Sequence, residues 1–128
     1  MPQTTVRFYA EDRNSCPLID WLDAIPAKAR DKCVVRLERL AELGHELRRP
    51  EADLLRDGIY ELRVGLHGVN YRMLYFFHGR GIAVVAHAIT KERQVPPQEI
   101  ETALLRRAVP SGIFLNKTLT CALALKMA

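Results

Sequence analysis

The sequence predicts an α+β fold: a small, mostly antiparallel sheet in the order strand, helix, helix, three strands, helix, with the helices packed on one face. Three strand-like runs, residues 59–65, 69–78 and 81–89, follow one another with only short Gly-containing connections, which is the signature of a meander. Two amphipathic segments precede them and one follows, so helices are segregated from the main block of strands. At 128 residues, with 48% hydrophobic and 27% charged residues, the chain is long enough for one core. We assign residues 1–108 to a single domain and 109–128 to a C-terminal extension.

Taken in order, "TTVRFYA" at 4–10 alternates β-branched and aromatic residues and reads as a first strand. "CPLIDWLDAI" places Leu18, Ile19, Trp21, Leu22 and Ile25 at helical spacing, with Pro17 at the helix start. After Pro26, "AKARDKCVVRLERLAELG" carries an apolar stripe of Cys33, Val34, Leu37, Leu40, Ala41 and Leu43, and Gly44 stands where a helix would end. The opposite face of that helix holds Lys28, Arg30, Lys32, Arg36 and Arg39, beside Asp31, Glu38 and Glu42 as possible partners. "HELRRPEADLLRDG" reads as a loop. In the meander, "LHGVN" and "HGRG" are turns because Gly and His or Asn tolerate positive φ. Pro96 and Pro97 stop the last strand, and "PQEIETALLRRA" forms the closing helix with Ile100, Ala103, Leu104 and Leu105 apolar.

Composition narrows the function. A net charge of +4 and a pI near 9.2 permit a polyanionic partner without demanding one, and the cationic excess lies in residues 28–50 and from 58 onward. Cys16, Cys33 and Cys121 are an odd count without CxxC or zinc-like spacing, so neither a disulfide framework nor a metal site is expected. The opening "MPQTTVRFYAEDR" does not read as an export signal, and the apolar tail is interrupted by Lys117, so a cytoplasmic protein without a membrane span is expected. No P-loop, Rossmann glycine run, G-x-S-x-G or HExxH is present, which removes the sequence basis for nucleotide-dependent enzymes, hydrolase triads and zinc proteases, and no cofactor is expected.

Within "YELRVGLHGVNYRMLYFF" two arginines interrupt the most strand-like stretch. Alternation puts Glu61 and Arg63 on the face opposite Tyr60, Leu62 and Val64, with the apolar trio toward the helices. Arg72 shares parity with Leu74 and Phe76 in a strand that is apolar on both sides, so parity alone does not place it. Glu61 is the obvious partner for a buried arginine, which is a purely structural reading. The alternative is that Arg63 and Arg72 converge to present planar, permanently charged donors to a phosphate. Lys91 and Arg93 lie just past the last strand and extend that cluster to four cations. His87, near the strand end, is a candidate proton-transfer group or a packed strand residue, whereas His45, His67 and His78 fall in loops or turns.

"LLRDGIYELRVGLHGVNYRMLYFF" followed by "HAITKERQVPPQEIETAL" resembles the phage-derived Gp49-like branch of the HigB/RelE toxin superfamily, over about residues 18–108. That branch runs as L-x-D-G-[IL]-Y-E-L-R, then Y-R-[IV]-[LF]-Y, then an apolar strand, a K-K element and a helix x-E-I-x-x-A. The resemblance implies a RelE-like fold and a cytoplasmic type II toxin that cleaves messenger RNA, commonly on the ribosome. It also implies a cognate helix-turn-helix antitoxin as inhibitory partner. Carried over by motif, Arg63 is the E-L-R arginine, Arg72 the Y-R arginine and Lys91 the first lysine of the K-K element. The second lysine is replaced by Glu92, with Arg93 beside it, and Ile89 stands where an aromatic is usual. The implied reaction is metal-free transfer to the 2′-hydroxyl, with Arg63 and Arg72 on the phosphate and Lys91 or Arg93 neutralising charge or protonating the leaving oxygen. Glu61, His87 and a ribosomal nucleotide remain candidates for the base. The competing expectation is a non-catalytic module of the same shape that binds antitoxin or RNA.

Overall fold

A computed structural model describes residues 4–11, 15–91, 95–108 and 117–118. The chain runs β1 (Thr5–Phe8), α1 (Pro17–Ala24), α2 (Ala27–Leu43), a 3-10 turn at Gly44–Glu46, β2 (Ala52–Arg56), β3 (Ile59–Leu66), β4 (Val69–His78), β5 (Ile82–Lys91), α3 (Pro97–Arg107) and β6 (Lys117–Thr118). The strands form one sheet in the order β2-β3-β4-β5-β1-β6. Strands β2 to β5 are successively antiparallel, while β1 returns beside β5 in parallel because two helices intervene. The α+β class and the mostly antiparallel sheet are as expected; two features differ.

The first is β2, in a segment read as loop. It is an edge strand joined to β3 by Asp57 and Gly58, both at positive φ (52° and 80°), the conformation of a two-residue hairpin turn. The β3–β4 turn at His67 and Gly68 repeats that geometry (52° and 78°). The second is the placement of the helices. α1 and α2 cover one face, burying Leu18, Leu22, Val34, Leu37 and Leu40 against Phe8, Leu62 and Met73. α3 packs on the opposite face, where Ile100 and Ala103 meet Ile59, Leu74, Phe76 and Val84. A strand that is apolar on both sides needs a cover on both sides, and β4 is such a strand. Among the described residues, α3 covers Ile59, Leu74, Phe76 and Val84 on the second face, and Arg63 and Arg72 lie on that same face beyond them.

A bulge decides what that face displays. Tyr75 pairs with Val85 and Leu74 with His87, leaving Ala86 as the extra residue of β5. Beyond Ala86 the alternation of β5 is inverted. His87 and Ile89 therefore share a face with Leu74 and Arg72, although simple alternation would set them with Ala83 and Val85 in the α2-side core.

Gly44 ends α2 with φ 53° and ψ −121°, a region open to glycine alone, and a Cβ there would collide with the Thr4 hydroxyl. We expect Gly44→Ala to destabilise the fold by about 1–3 kcal/mol, read as a lower urea midpoint at unchanged slope.

Candidate functional site

Arg63 and Arg72 are directly opposite one another on β3 and β4. Two guanidinium groups facing across a ladder repel, so this register requires a counter-charge. Glu61 supplies it. It is 1% exposed, and its Oε1 accepts a hydrogen bond from Arg72 Nη1 at 3.1 Å while its Oε2 accepts one from Arg63 Nη2 at 3.3 Å. Asp53, opposite Glu61 on β2, accepts a second bond from Arg63 Nη2 at 3.0 Å. The other Asp53 oxygen accepts from Arg49 Nε, also at 3.0 Å. Carboxylates thus hold both arginines, as the structural reading expected, and both arginines also converge on one face, as the phosphate reading required.

The two readings meet in the donors that remain. The buried Nε–H groups of Arg63 and Arg72 have no acceptor among the described residues. Buried unpaired donors are uncommon and mark either stored cost or a place for a ligand oxygen. The two arginine side chains line a cavity of about 270 Å³ together with Asp53, Leu55, Arg56, Glu61, Val95 and Ile100. Arg56, on the rim, is held by Asp57 at 2.8 Å and by Glu101 of α3 at 2.7 Å. The cavity therefore presents fixed, planar donors whose orientation is set by carboxylates behind and beside them. Such a site suits an oxyanion, for which Asp53 is the intramolecular competitor at Arg63.

His87 is placed on the same face, under α3. Its Nδ1 lies 3.1 Å from Arg106 Nη1, which also donates to the Ala86 carbonyl at 2.8 Å. Because arginine can only donate, Nδ1 is the acceptor and the proton sits on Nε2, which donates to Glu99 Oε1 at 2.6 Å. Both ring nitrogens are engaged in docking α3, with Arg106 also over the Tyr9 ring at 5.1 Å. Lys91 pairs in the ladder with Asn70, two residues before Arg72, which gives it the backbone parity of the arginines. Arg93 and Glu92 lie outside the described residues. Asp53, Arg49 and Arg56 were not singled out from the sequence; the Asp57-Gly58 dipeptide, a strong hairpin signal, announced the strand that carries two of them.

The basic face of α2 is more compensated than its sequence indicates. Arg36 and Arg39 both reach Glu51, at 3.2 and 3.0 Å, and Arg30 approaches Asp23 at 3.8 Å; Lys28 and Lys32 are exposed. These partners come from the start of β2 and the end of α1, beyond the i,i+4 spacing considered from sequence.

The hydrogen bond from Arg39 holds the Glu51 carboxyl below its usual range, and that from Arg49 does the same for Asp53; partial burial opposes both. A carboxyl depressed in the folded state stabilises above its unfolded pKa and loses that contribution as pH falls through its folded value. Stability is therefore expected to decline below about pH 5. Asp53→Asn should remove part of that acid sensitivity, checked by thermal melts across pH 3 to 7, roughly the window over which carboxylates titrate.

The mostly antiparallel sheet with its three helices is an α+β fold that does not conflict with the RelE-like expectation. Comparison with family models takes the assignment further: residues 20–108, more than half of the chain, match the family described as phage derived protein Gp49-like (DUF891), and the chain belongs to that family. In general terms it is thus a toxin module of a toxin–antitoxin pair, with an antitoxin as implied partner. No curated protein matches the chain. Among the described residues no helix is long and apolar enough to cross a membrane, and no three His, Cys, Asp or Glu side chains group as a metal site.

Proposed function

We propose that the protein is a type II toxin that cleaves messenger RNA on the ribosome without a metal ion, and that its partner is a helix-turn-helix antitoxin. The observation that carries this reading is the convergence of Arg63 and Arg72, opposite one another on neighbouring strands, on one cavity. In the reaction the 2′-oxygen attacks phosphorus and the P–O5′ bond breaks, giving a 2′,3′-cyclic phosphate and a 5′-hydroxyl. Arg63 and Arg72 hold the non-bridging oxygens, and their fixed charge meets the charge that builds up in the transition state. Lys91 or Arg93 neutralises the departing 5′-oxygen or supplies the proton that it takes up. Glu61 positions the arginines, since both of its oxygens are occupied by them. His87 positions α3 over the cavity through two engaged nitrogens. The 2′-hydroxyl proton then goes to a group supplied by the ribosome.

Induced expression followed by growth curves and mapping of transcript 5′ ends tests this reading. New in-frame ends with growth arrest are expected; unaltered transcripts from soluble, folded protein would remove it. One observation favours a second reading, a non-cleaving module that binds RNA or antitoxin: Asp53 and Glu61 neutralise both guanidiniums, which lowers the field available to a scissile phosphate. Binding of RNA or antitoxin without arrest or new ends would select it.

A further inference from the structure

A second cavity, of about 360 Å³, lies across the edge strand from the arginine site and is lined by Leu47, Arg48, Arg49, Ala52, Asp53, Leu54 and Tyr60. We infer that it is a nucleobase subsite, holding the base next to the phosphate at Arg63 and Arg72; this rests on the RNA reading above. The walls are apolar where a base has its faces. Leu54 is 54% exposed on an edge strand, and Tyr60 contributes a half-buried ring whose far side is already stacked on Tyr75, at 5.3 Å and 20°. A ring so supported is a rigid platform, and stacking on aromatic side chains is how single strands are held with little sequence demand. The mouth is cationic where the strand's phosphates must pass. Arg48 is exposed without an ion-pair partner among the described residues, and the Arg49 side chain is 75% exposed.

The two cavities share Asp53. One of its oxygens accepts from Arg63 on the α3 side, the other from Arg49, whose side chain reaches round the outer edge of β2. The Leu54–Tyr60 and Asp53–Glu61 pairs place base slot and phosphate slot on opposite faces of the same edge. Nothing in the described sheet pairs with the outer side of β2, so a nucleotide chain can turn around it. When a phosphate takes Asp53's place at Arg63, Arg49 is left with Asp53 beside the base, so the two slots fill in concert.

The test uses fluorescence anisotropy with the full chain and short labelled oligoribonucleotides at low ionic strength. A complete strand is compared with strands made abasic at one position after another. We expect one abasic position to weaken binding about tenfold, and Arg48→Ala and Leu54→Asp, both at exposed positions, to erase that difference. The paired substitution Arg72→Leu with Glu61→Leu should weaken all strands alike and keep the ratio. Equal binding of every abasic strand, with the arginine variant still weaker, overturns the base slot and leaves the phosphate site standing. If no strand binds and no transcript is cut, the RNA reading falls and the subsite with it. Protection of Leu54 and Tyr60 by the antitoxin alone would assign the cavity to that protein and likewise overturn the inference.

Discussion

Arg72→Leu combined with Glu61→Leu is expected to cut transcript cleavage at least about a hundredfold and to restore growth, while leaving the protein folded. Loss of one positioned donor to a developing oxyanion typically lowers rate by about 10²–10³, and here the donor is one of two arginines in a single site. The pairing of substitutions matters. Arg72→Ala alone would leave Glu61, 1% exposed, with half its counter-charge, and lost activity could then reflect lost structure. Replacing both charges by leucine is often neutral for stability when the volume is filled. Arg72→Lys is the sharper control: it keeps the charge but loses the planar fork, so partial activity is expected. Full activity in the paired variant, at native melting temperature, would exclude Arg72 from the chemistry.

Glu61→Ala should be the most destabilising of these substitutions, by about 3–5 kcal/mol. Its carboxylate is the only partner of Arg72 among the described ion pairs, and the Arg72 side chain is 13% exposed, so a nearly buried cation would be stranded. Arg63 suffers less because Asp53 remains and its side chain is 40% exposed. Against a total stability of about 5–15 kcal/mol this is a large fraction, visible as a urea midpoint lowered by more than about 1 M. Placing Glu61→Ala in the Arg72→Leu background should recover most of the loss. A midpoint unchanged in Glu61→Ala would mean that the carboxylate does not hold the arginines, and the account of how the site is positioned would fail.

Much of the site was legible in the order of residues. Alternation in β3 separated Glu61 and Arg63 from Leu62 and Val64, and Glu61 was identifiable as the partner of Arg72. The turn at His67-Gly68 followed from local backbone preference. The strand β2 was missed because "ADLLR" has weak alternation and a polar edge, although Asp57-Gly58 carried the turn signal. With β2 went Asp53, which reaches Arg63 only when the edge strand is folded against β3.

The α+β class, the meander, the helical stripes and the pair of arginines in the centre of the meander follow from residue order, because each depends on periods of a few residues. Tertiary structure alone decided three things: the position of α3 on the second face, the ion pairs of α2 with Glu51, and the face that His87 occupies. The last has the plainest cause. One extra residue at Ala86 inverts the alternation of β5, so His87 and Ile89 turn toward Arg72 instead of the core, and nothing within β5 marks the bulge. It shows only in the pairing of β5 with β4, where Tyr75 meets Val85 and Leu74 meets His87.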